Sequence, residues 1–327
     1  MKITIIVPVY NVEKYISRCF LSISKQIYNE IECFFIDDCS SDDSLHLLQK
    51  LVSNYKGPIK FSIIKHEKNE GLSRARNTGT HLATGEYIYY LDSDDDITPS
   101  CIKNLVELAV KFKNVDIVQG ATNTVPQPAG RNWRDIRGNN FPQFSNDRIW
   151  IRQQFFRKPN IPVNAWNKLI RRQFLLNNNL LFKEGLVHED ELWMFSISKK
   201  IESIAFCEEP CYNHYIVPGS IIQSNNNHRR LDSMLAILSE MANNIDTEVS
   251  AIQRKYIYKL INNSLDLMTT KEYKNHLRKY RTLIRRFLAE AIQQFYFFES
   301  LILLTLLIPN IYKTRRISEL LIEHYKV

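Results

Sequence analysis

The 327-residue chain is 44% hydrophobic and 24% charged, which excludes a disordered or fibrous protein and leaves room for one large core plus a smaller unit. It holds 43 Lys and Arg against 35 Asp and Glu, unevenly spread: residues 1–120 carry 14 basic against 16 acidic groups, and residues 121–327 carry 29 against 19. A basic second part suggests an anionic surface as partner, membrane or nucleic acid.

In chain order, Ile3–Pro8 reads as an apolar strand and Val12–Lys25 as a helix with Tyr15, Ile16, Cys19, Phe20 and Ile23 on one face. Ile31–Ile36 is strand-like, and Ser40-Ser41-Asp42-Asp43 offers N-cap chemistry ahead of a helix over Ser44–Tyr55. A third strand is expected over Lys60–Ile64, a helix over Leu72–Ala83, and a fourth strand over Glu86–Leu91. Strands separated by helices imply a parallel sheet with right-handed crossovers. Residues from Val125 to about Phe144, rich in Pro, Gly, Asn and Arg, read as a long loop or lid. From Asn225 onward the pattern is helical. It ends in an apolar stretch, Phe295–Ile311, interrupted by Glu299 and flanked by Arg285-Arg286 and Arg315-Arg316. That stretch is at the short limit for a spanning helix and suits one lying in the interface of an anionic bilayer; a buried helix or an oligomer contact is the alternative. The N-terminus has no cleavage-site pattern and the six cysteines lack CxxC spacing, so a reduced, cytoplasmic protein is expected.

Four clusters fall where strands end. Val7-Pro8-Val9-Tyr10-Asn11 follows the first strand, and Ile36-Asp37-Asp38-Cys39-Ser40 closes the second. An acid at the second position accepts hydrogen bonds from a base or ribose in doubly wound folds; helix capping is the plainer role. Asn69-Glu70-Gly71 leads into Arg74-Ala75-Arg76-Asn77, a helix start with two arginines that suits a diphosphate, or a solvated basic face. Asp92-Ser93-Asp94-Asp95-Asp96 follows the fourth strand, and so many crowded carboxylates suit a hard divalent cation and a phosphorylated ligand.

Taken together, in this order and spacing, these clusters closely resemble the inverting family 2 glycosyltransferases. The resemblance implies an α/β GT-A fold: a Rossmann-like, mostly parallel sheet flanked by helices, with a helical C-terminal extension. It implies a catalytic domain over residues 1–225, with nucleotide-sugar binding in 1–120 and acceptor and base in 121–225. Residues 226–327 would form a basic, membrane-associating helical region. By resemblance, Pro8, Tyr10 and Asn11 would line the nucleotide pocket, Asp38 would bind the uracil edge, and Arg76 and Asn77 would hold the nucleotide. Asp94 would ligate Mn²⁺ or Mg²⁺, with Asp92 on ribose or metal, Asp95 supporting, and Asp96 a solvated neighbour or helix cap. Cys39 departs from the glycine common there.

Further on, His188-Glu189-Asp190-Glu191 resembles the family's ED motif, which makes Asp190 the general base and Glu189 a group orienting acceptor or sugar. His188 reads as a hydrogen-bonding neighbour. Trp166 would stack on an acceptor sugar, Lys168 would touch phosphate or acceptor, and His214 is a candidate third metal ligand, against simple packing. The implied activity is transfer of glucose, galactose or an N-acetylhexosamine from a UDP-sugar to a glycan or lipid-linked acceptor with β-linkage. Lipopolysaccharide or other surface-polysaccharide assembly, at the inner face of the cytoplasmic membrane, is the expected setting. No nucleic-acid partner is expected; an oligomer is compatible. A sugar nucleotidyltransferase would need a Gly-rich basic loop where Pro8-Val9-Tyr10-Asn11 stands. A non-catalytic module for anionic surfaces would leave the acidic strand ends without a role.

Overall fold

The computed structural model describes residues 1–126, 135–157, 161–216, 227–268, 273–294, 296–307 and 311–325. The first stretch alternates β1 (Ile3–Val9), α1 (Ile16–Ser24), β2 (Ile31–Asp37), α2 (Ser44–Asn54), β3 (Lys60–Lys65), α3 (Leu72–Leu82) and β4 (Tyr87–Tyr90). Next come β5 (Asp96–Ile97), α4 (Cys101–Lys111), β6 (Ile117–Val125), β7 (Phe144–Ser145), α5 (Arg148–Gln154), β8 (Lys168–Arg171), α6 (Arg172–Asn177), α7 (Glu189–Ser198) and β9 (Ile204–Tyr215). Among the described residues the α-helices α8 (Asn227–Asn243), α9 (Ser250–Leu265), α10 (Lys274–Gln293), α11 (Phe297–Leu307) and α12 (Ile311–His324) follow.

The strands form one sheet in the order β3-β2-β1-β4-β8-β6-β9-β5, with β7 on β9. The β1, β2, β3 and β4 neighbours pair in parallel, as their helical crossovers require. β8 then enters antiparallel between β4 and β6, which makes the sheet mixed. The strands alternate between two buried faces: Ile3, Ile5, Val7, Tyr87 and Tyr89 join one core, while Ile6, Ile88 and Tyr90 join the other. A strand buried on both faces is apolar throughout, which is why β1 and β4 lack polar alternation.

One crossover bears directly on the site. α3 presents Ala75, Arg76, Asn77, Gly79 and Thr80 inward. A Cβ on Gly79 would stand 2.4 Å from Ile6 Cγ2, so only glycine lets α3 approach β1 this closely. That approach seats Arg76 deep beneath the ends of the strands.

The chain divides into two compact units: Met1–Gly185 with Glu189–Ser220, and Leu186–His188 with Ile221–Val327. The boundary expected near residue 225 lies outside the described residues, as do parts of the expected 125–144 loop and of the 295–311 stretch. In the second unit Glu299 is buried and accepts from the Tyr258 hydroxyl at 2.7 Å and from the Tyr325 hydroxyl. The acid that interrupts the apolar stretch is thus hydrogen-bonded inside this unit. Among the described residues, no helix is long and apolar enough to cross a membrane.

Candidate active site

The site begins where β1, β2 and β4 end. Pro8 is buried, Tyr10 is half exposed, and Asn11 takes a left-handed φ of 53°, a conformation Asn tolerates. The Asn11 Oδ1 accepts from the Ser41 N–H at 2.8 Å, tying the first loop to the second. Asp38 is buried, and its carboxylate accepts from His66 Nδ1 at 2.7 Å, the Glu70 N–H at 2.9 Å and the Gly71 N–H at 2.7 Å. Those bonds commit Asp38 to fastening the entry of α3, a structural task in addition to the base contact expected of it. Gly71, with φ of 90°, makes the turn into that helix.

Arg76 is the centre of the arrangement. It is 1% exposed, and its Nη1 donates to Glu189 Oε1 at 2.7 Å and to Asp190 Oδ1 at 2.8 Å, while Nη2 donates to Asp92 Oδ1 at 3.0 Å. Burial alone would lower its pKa; the charges of Asp190, Asp92 and Glu189 more than reverse that, so the guanidinium stays ionised. Asn77 beside it is buried and clamps the Phe182 backbone in both directions, at 2.9 Å each way. The nucleotide role expected of Arg76 and Asn77 is therefore displaced: Arg76 joins Asp92 to Glu189 and Asp190, and Asn77 holds the segment that leads to α7.

Of the carboxylate run, Asp94 is half-buried, and burial with the neighbouring Asp95 and Asp92 pushes it up to about 7. Asp95 accepts from the Tyr212 hydroxyl at 2.7 Å, His214 Nδ1 at 3.1 Å and the Tyr215 N–H at 2.7 Å, so it anchors β9 to the site. Asp96 is neither solvated nor a helix cap. It lies buried in β5, accepting from Asn213 Nδ2 at 2.7 Å and the Tyr215 hydroxyl at 2.9 Å. The reason is the β5–β9 pairing, which sets Asp96 opposite Asn213.

Glu189 and Asp190 open α7, where a helix N-terminus favours negative charge. Burial, then the charge of Asp190, pushes Glu189 up to about 7, with Arg76 pulling the other way. Asp190 is also raised by burial and likewise held down by Arg76. Its Oδ2 accepts from the Ala165 N–H at 3.1 Å, and its side chain keeps 21% of its surface exposed. One oxygen each is thus held by Arg76 and by Ala165, while part of the carboxylate stays exposed. His188 has a left-handed φ of 65° just before α7.

Two expected contacts change. Trp166 is buried and stacks on Tyr212 at 4.4 Å and on His214 at 5.2 Å, so its ring is spent on packing rather than offered to a sugar. Lys168 is fully buried in β8, with Nζ on the Asn164 carbonyl at 2.6 Å, and reaches no solvent-borne phosphate.

Residues 4–179 match the family described as glycosyl transferase family 2. The chain belongs to glycosyl transferase family 2. It is similar to the uncharacterized glycosyltransferase YibD of Escherichia coli, 26% identical over 222 residues, covering 67% of this chain and 63% of YibD. It is 27% identical over 299 residues to the glycosyltransferase GlyA of Streptococcus pneumoniae, covering 86% of this chain and 41% of GlyA. The chain thus spans less than two thirds of the length of these relatives. Among solved structures, Staphylococcus aureus TarS 1–349 in complex with UDP-GlcNAc superposes with a TM-score of 0.68 at 21% identity, covering 98% of this chain and 91% of that one. The GT-A architecture expected from the motifs is the one found. For this family 2 chain, motif reading missed the His66 and Ala165 contacts. It also missed Arg18, whose Nη2 donates to the Asp94 carbonyl and whose guanidinium lies 3.5 Å from the Tyr215 ring centre.

Proposed function

We propose that the chain is a metal-dependent inverting glycosyltransferase. It transfers a hexose or N-acetylhexosamine from a UDP-sugar to a glycan or lipid-linked acceptor, with β-linkage, in lipopolysaccharide or other surface-polysaccharide synthesis. The observation that carries this reading is the Arg76 bridge, which holds Asp190 beside Asp92 across 98 residues of sequence. A base and a leaving-group site must face opposite sides of one sugar carbon, and the bridge fixes their spacing. Asp190 takes the proton from the acceptor hydroxyl as its oxygen attacks the anomeric carbon. The bond from that carbon to the β-phosphate oxygen breaks, and UDP leaves with the electron pair. One in-line displacement inverts the anomeric configuration.

Asp94 and Asp92 would hold the metal. Burial first, and then repulsion from Asp95 and Asp92, pushes Asp94 up, and a divalent cation offsets both, so the acids fit the ion. His214, the expected third ligand, has its Nδ1 committed to Asp95. Among the described residues no group of three or more His, Cys, Asp or Glu is close enough to hold a metal, so diphosphate and water would complete the shell. When bound, Mn²⁺ or Mg²⁺ would neutralise the departing diphosphate. TarS, whose name is poly(ribitol-phosphate) beta-N-acetylglucosaminyltransferase, supports a UDP-sugar as donor through its UDP-GlcNAc complex. Calorimetry with UDP should show binding that Mn²⁺ strengthens at least tenfold; equal binding with and without metal would sink the metal-dependent reading.

Residues 1–225 would then be the catalytic part and 226–327 the membrane-associating part, peripheral on the inner face. On α11, Phe297 is 80% exposed, with Leu301 and Leu304 on the same helical face. Along α10, Lys274, Arg278 and Arg285 are exposed at helical spacing. Exposed apolar side chains on one helix and exposed basic ones on another of the same unit suit an anionic bilayer. The protein should sediment with phosphatidylglycerol vesicles and not with phosphatidylcholine ones, and Phe297→Ser with Leu301→Ser should weaken this severalfold. Equal sedimentation of the double variant would remove α11 from the role.

A further inference from the structure

Lys168 is unusual for its place in the fold. It opens β8, the strand threaded between β4 and β6, and it is completely buried. Its cross-strand partner is Gln119. The Gln119 Nε2 donates to the Gly120 and Asn167 carbonyls, which leaves Oε1 buried without a hydrogen-bond partner. The Lys168 ammonium donates to the Asn164 carbonyl at 2.6 Å, and no carboxylate among the described residues forms an ion pair with it. An ammonium in such surroundings is costly, and an aliphatic side chain of similar length would fill the space at less cost.

What the ammonium touches leads to the base. Asn164 and Ala165 are consecutive: the carbonyl of the first binds Lys168, and the N–H of the second binds Asp190 Oδ2 at 3.1 Å. The peptide unit that links the two residues thus carries both contacts. The Asn164 side chain ties the same turn together by donating to the Trp166 carbonyl at 2.7 Å. Arg76 holds the other oxygen of Asp190 at 2.8 Å.

We propose that Lys168 is a positioning residue for the reaction: by fixing the Asn164–Ala165 peptide it aims the Ala165 N–H at Asp190 and so orients the base toward the acceptor. The inference rests on Asp190 as the base. The electrostatics agree with the geometry. Burial pushes Lys168 down to about 7, and the one charge that draws it back up is Asp190. The reciprocal holds, since Lys168 is among the groups that lower Asp190.

The test uses the full chain with Mn²⁺ and whichever of UDP-N-acetylglucosamine, UDP-glucose or UDP-galactose it hydrolyses fastest. Lys168→Met should lower kcat at least tenfold, leave KM for the donor within twofold, and leave the thermal midpoint unchanged or higher. Lys168→Gln keeps an N–H for the Asn164 carbonyl and should recover most of that loss, a rescue that a mere packing role does not predict. Wild-type kcat in Lys168→Met would overturn the proposal; if that variant does not fold, Lys168→Gln decides in the opposite sense, because it keeps the contact: near-wild-type kcat supports the proposal and a tenfold loss overturns it. A crystal structure of either variant reads the point without turnover: an Ala165 N–H displaced from Asp190 in Lys168→Met supports it, and an unchanged contact overturns it. Failure of the parent reading looks different, because Asp190→Asn would then keep wild-type turnover.

Discussion

Asp190→Asn should abolish sugar transfer while leaving UDP bound as in the wild type. The change removes the only function assigned to Asp190 in the chemistry, proton abstraction, whose loss costs about 10²–10⁴-fold in kcat. It removes little else. Asparagine has the same shape and can still accept from the Ala165 N–H that now meets Asp190 Oδ2. Arg76 would keep Glu189 and Asp92, two carboxylates for one guanidinium instead of three. The fold should therefore be no less stable, and Mn²⁺-dependent UDP affinity should stay within about threefold by calorimetry. A variant that transfers sugar at a tenth of the wild-type rate or more would take Asp190 out of the base role. One that loses UDP binding as well would mean that the acid serves the nucleotide side of the site. The same measurement on Glu189→Gln separates the neighbours, since an orienting residue should change KM for acceptor more than it changes donor hydrolysis.

The parts of this fold that could be read from the sequence are those set by short-range pattern. β1 to β4 and their helices follow from apolar runs and helical spacing, and each boundary falls within a few residues of expectation, as with Lys60–Ile64 against the observed Lys60–Lys65. β8 could not be read in this way. Its four residues carry a lysine inside a buried strand, and its place between β4 and β6 is decided by pairing with segments 49 to 84 positions away. The carboxylate run shows the same division. Its position at a strand end was legible, but the individual fates of Asp95 and Asp96 depend on Tyr212, Asn213, His214 and Tyr215, more than a hundred residues on. Arg76 was legible as a cation at a helix start and not as a bridge. A guanidinium beside a glycine-led helix start suggests phosphate, and only the tertiary fold reveals that carboxylates already surround it. Trp166 failed for a related reason: an aromatic ring near a sugar site attracts a stacking role, yet Tyr212 and His214 reach it first.

Arg76→Met should be the most damaging single change in the catalytic unit, and its damage should depend on pH. Methionine fills similar volume but leaves Glu189, Asp190 and Asp92 converging on an apolar side chain. Removing one partner of a buried charge cluster costs about 3–5 kcal/mol; the lower figure applies here, because Asp190 and Asp92 keep some contact with water. That corresponds to a fall in thermal midpoint on the order of 10 °C for a unit of this size. The sign of the pH effect follows from what Arg76 now does. It opposes the burial that raises Glu189 and Asp190, so without it both carboxyls rise further above their unfolded values. A carboxyl whose folded pKa is raised keeps in the folded state a proton that the unfolded chain releases. Stability is then greatest below the unfolded pKa and is lost as pH climbs through the raised folded value. The variant should therefore lie closest to wild type near pH 5 and fall progressively behind up to pH 8, read as thermal midpoints of the two proteins in parallel. A constant gap across that range would mean that Arg76 stabilises by packing alone. Arg76→Lys should not rescue the loss, because an ammonium on a flexible stem cannot span three carboxylates as the planar guanidinium does.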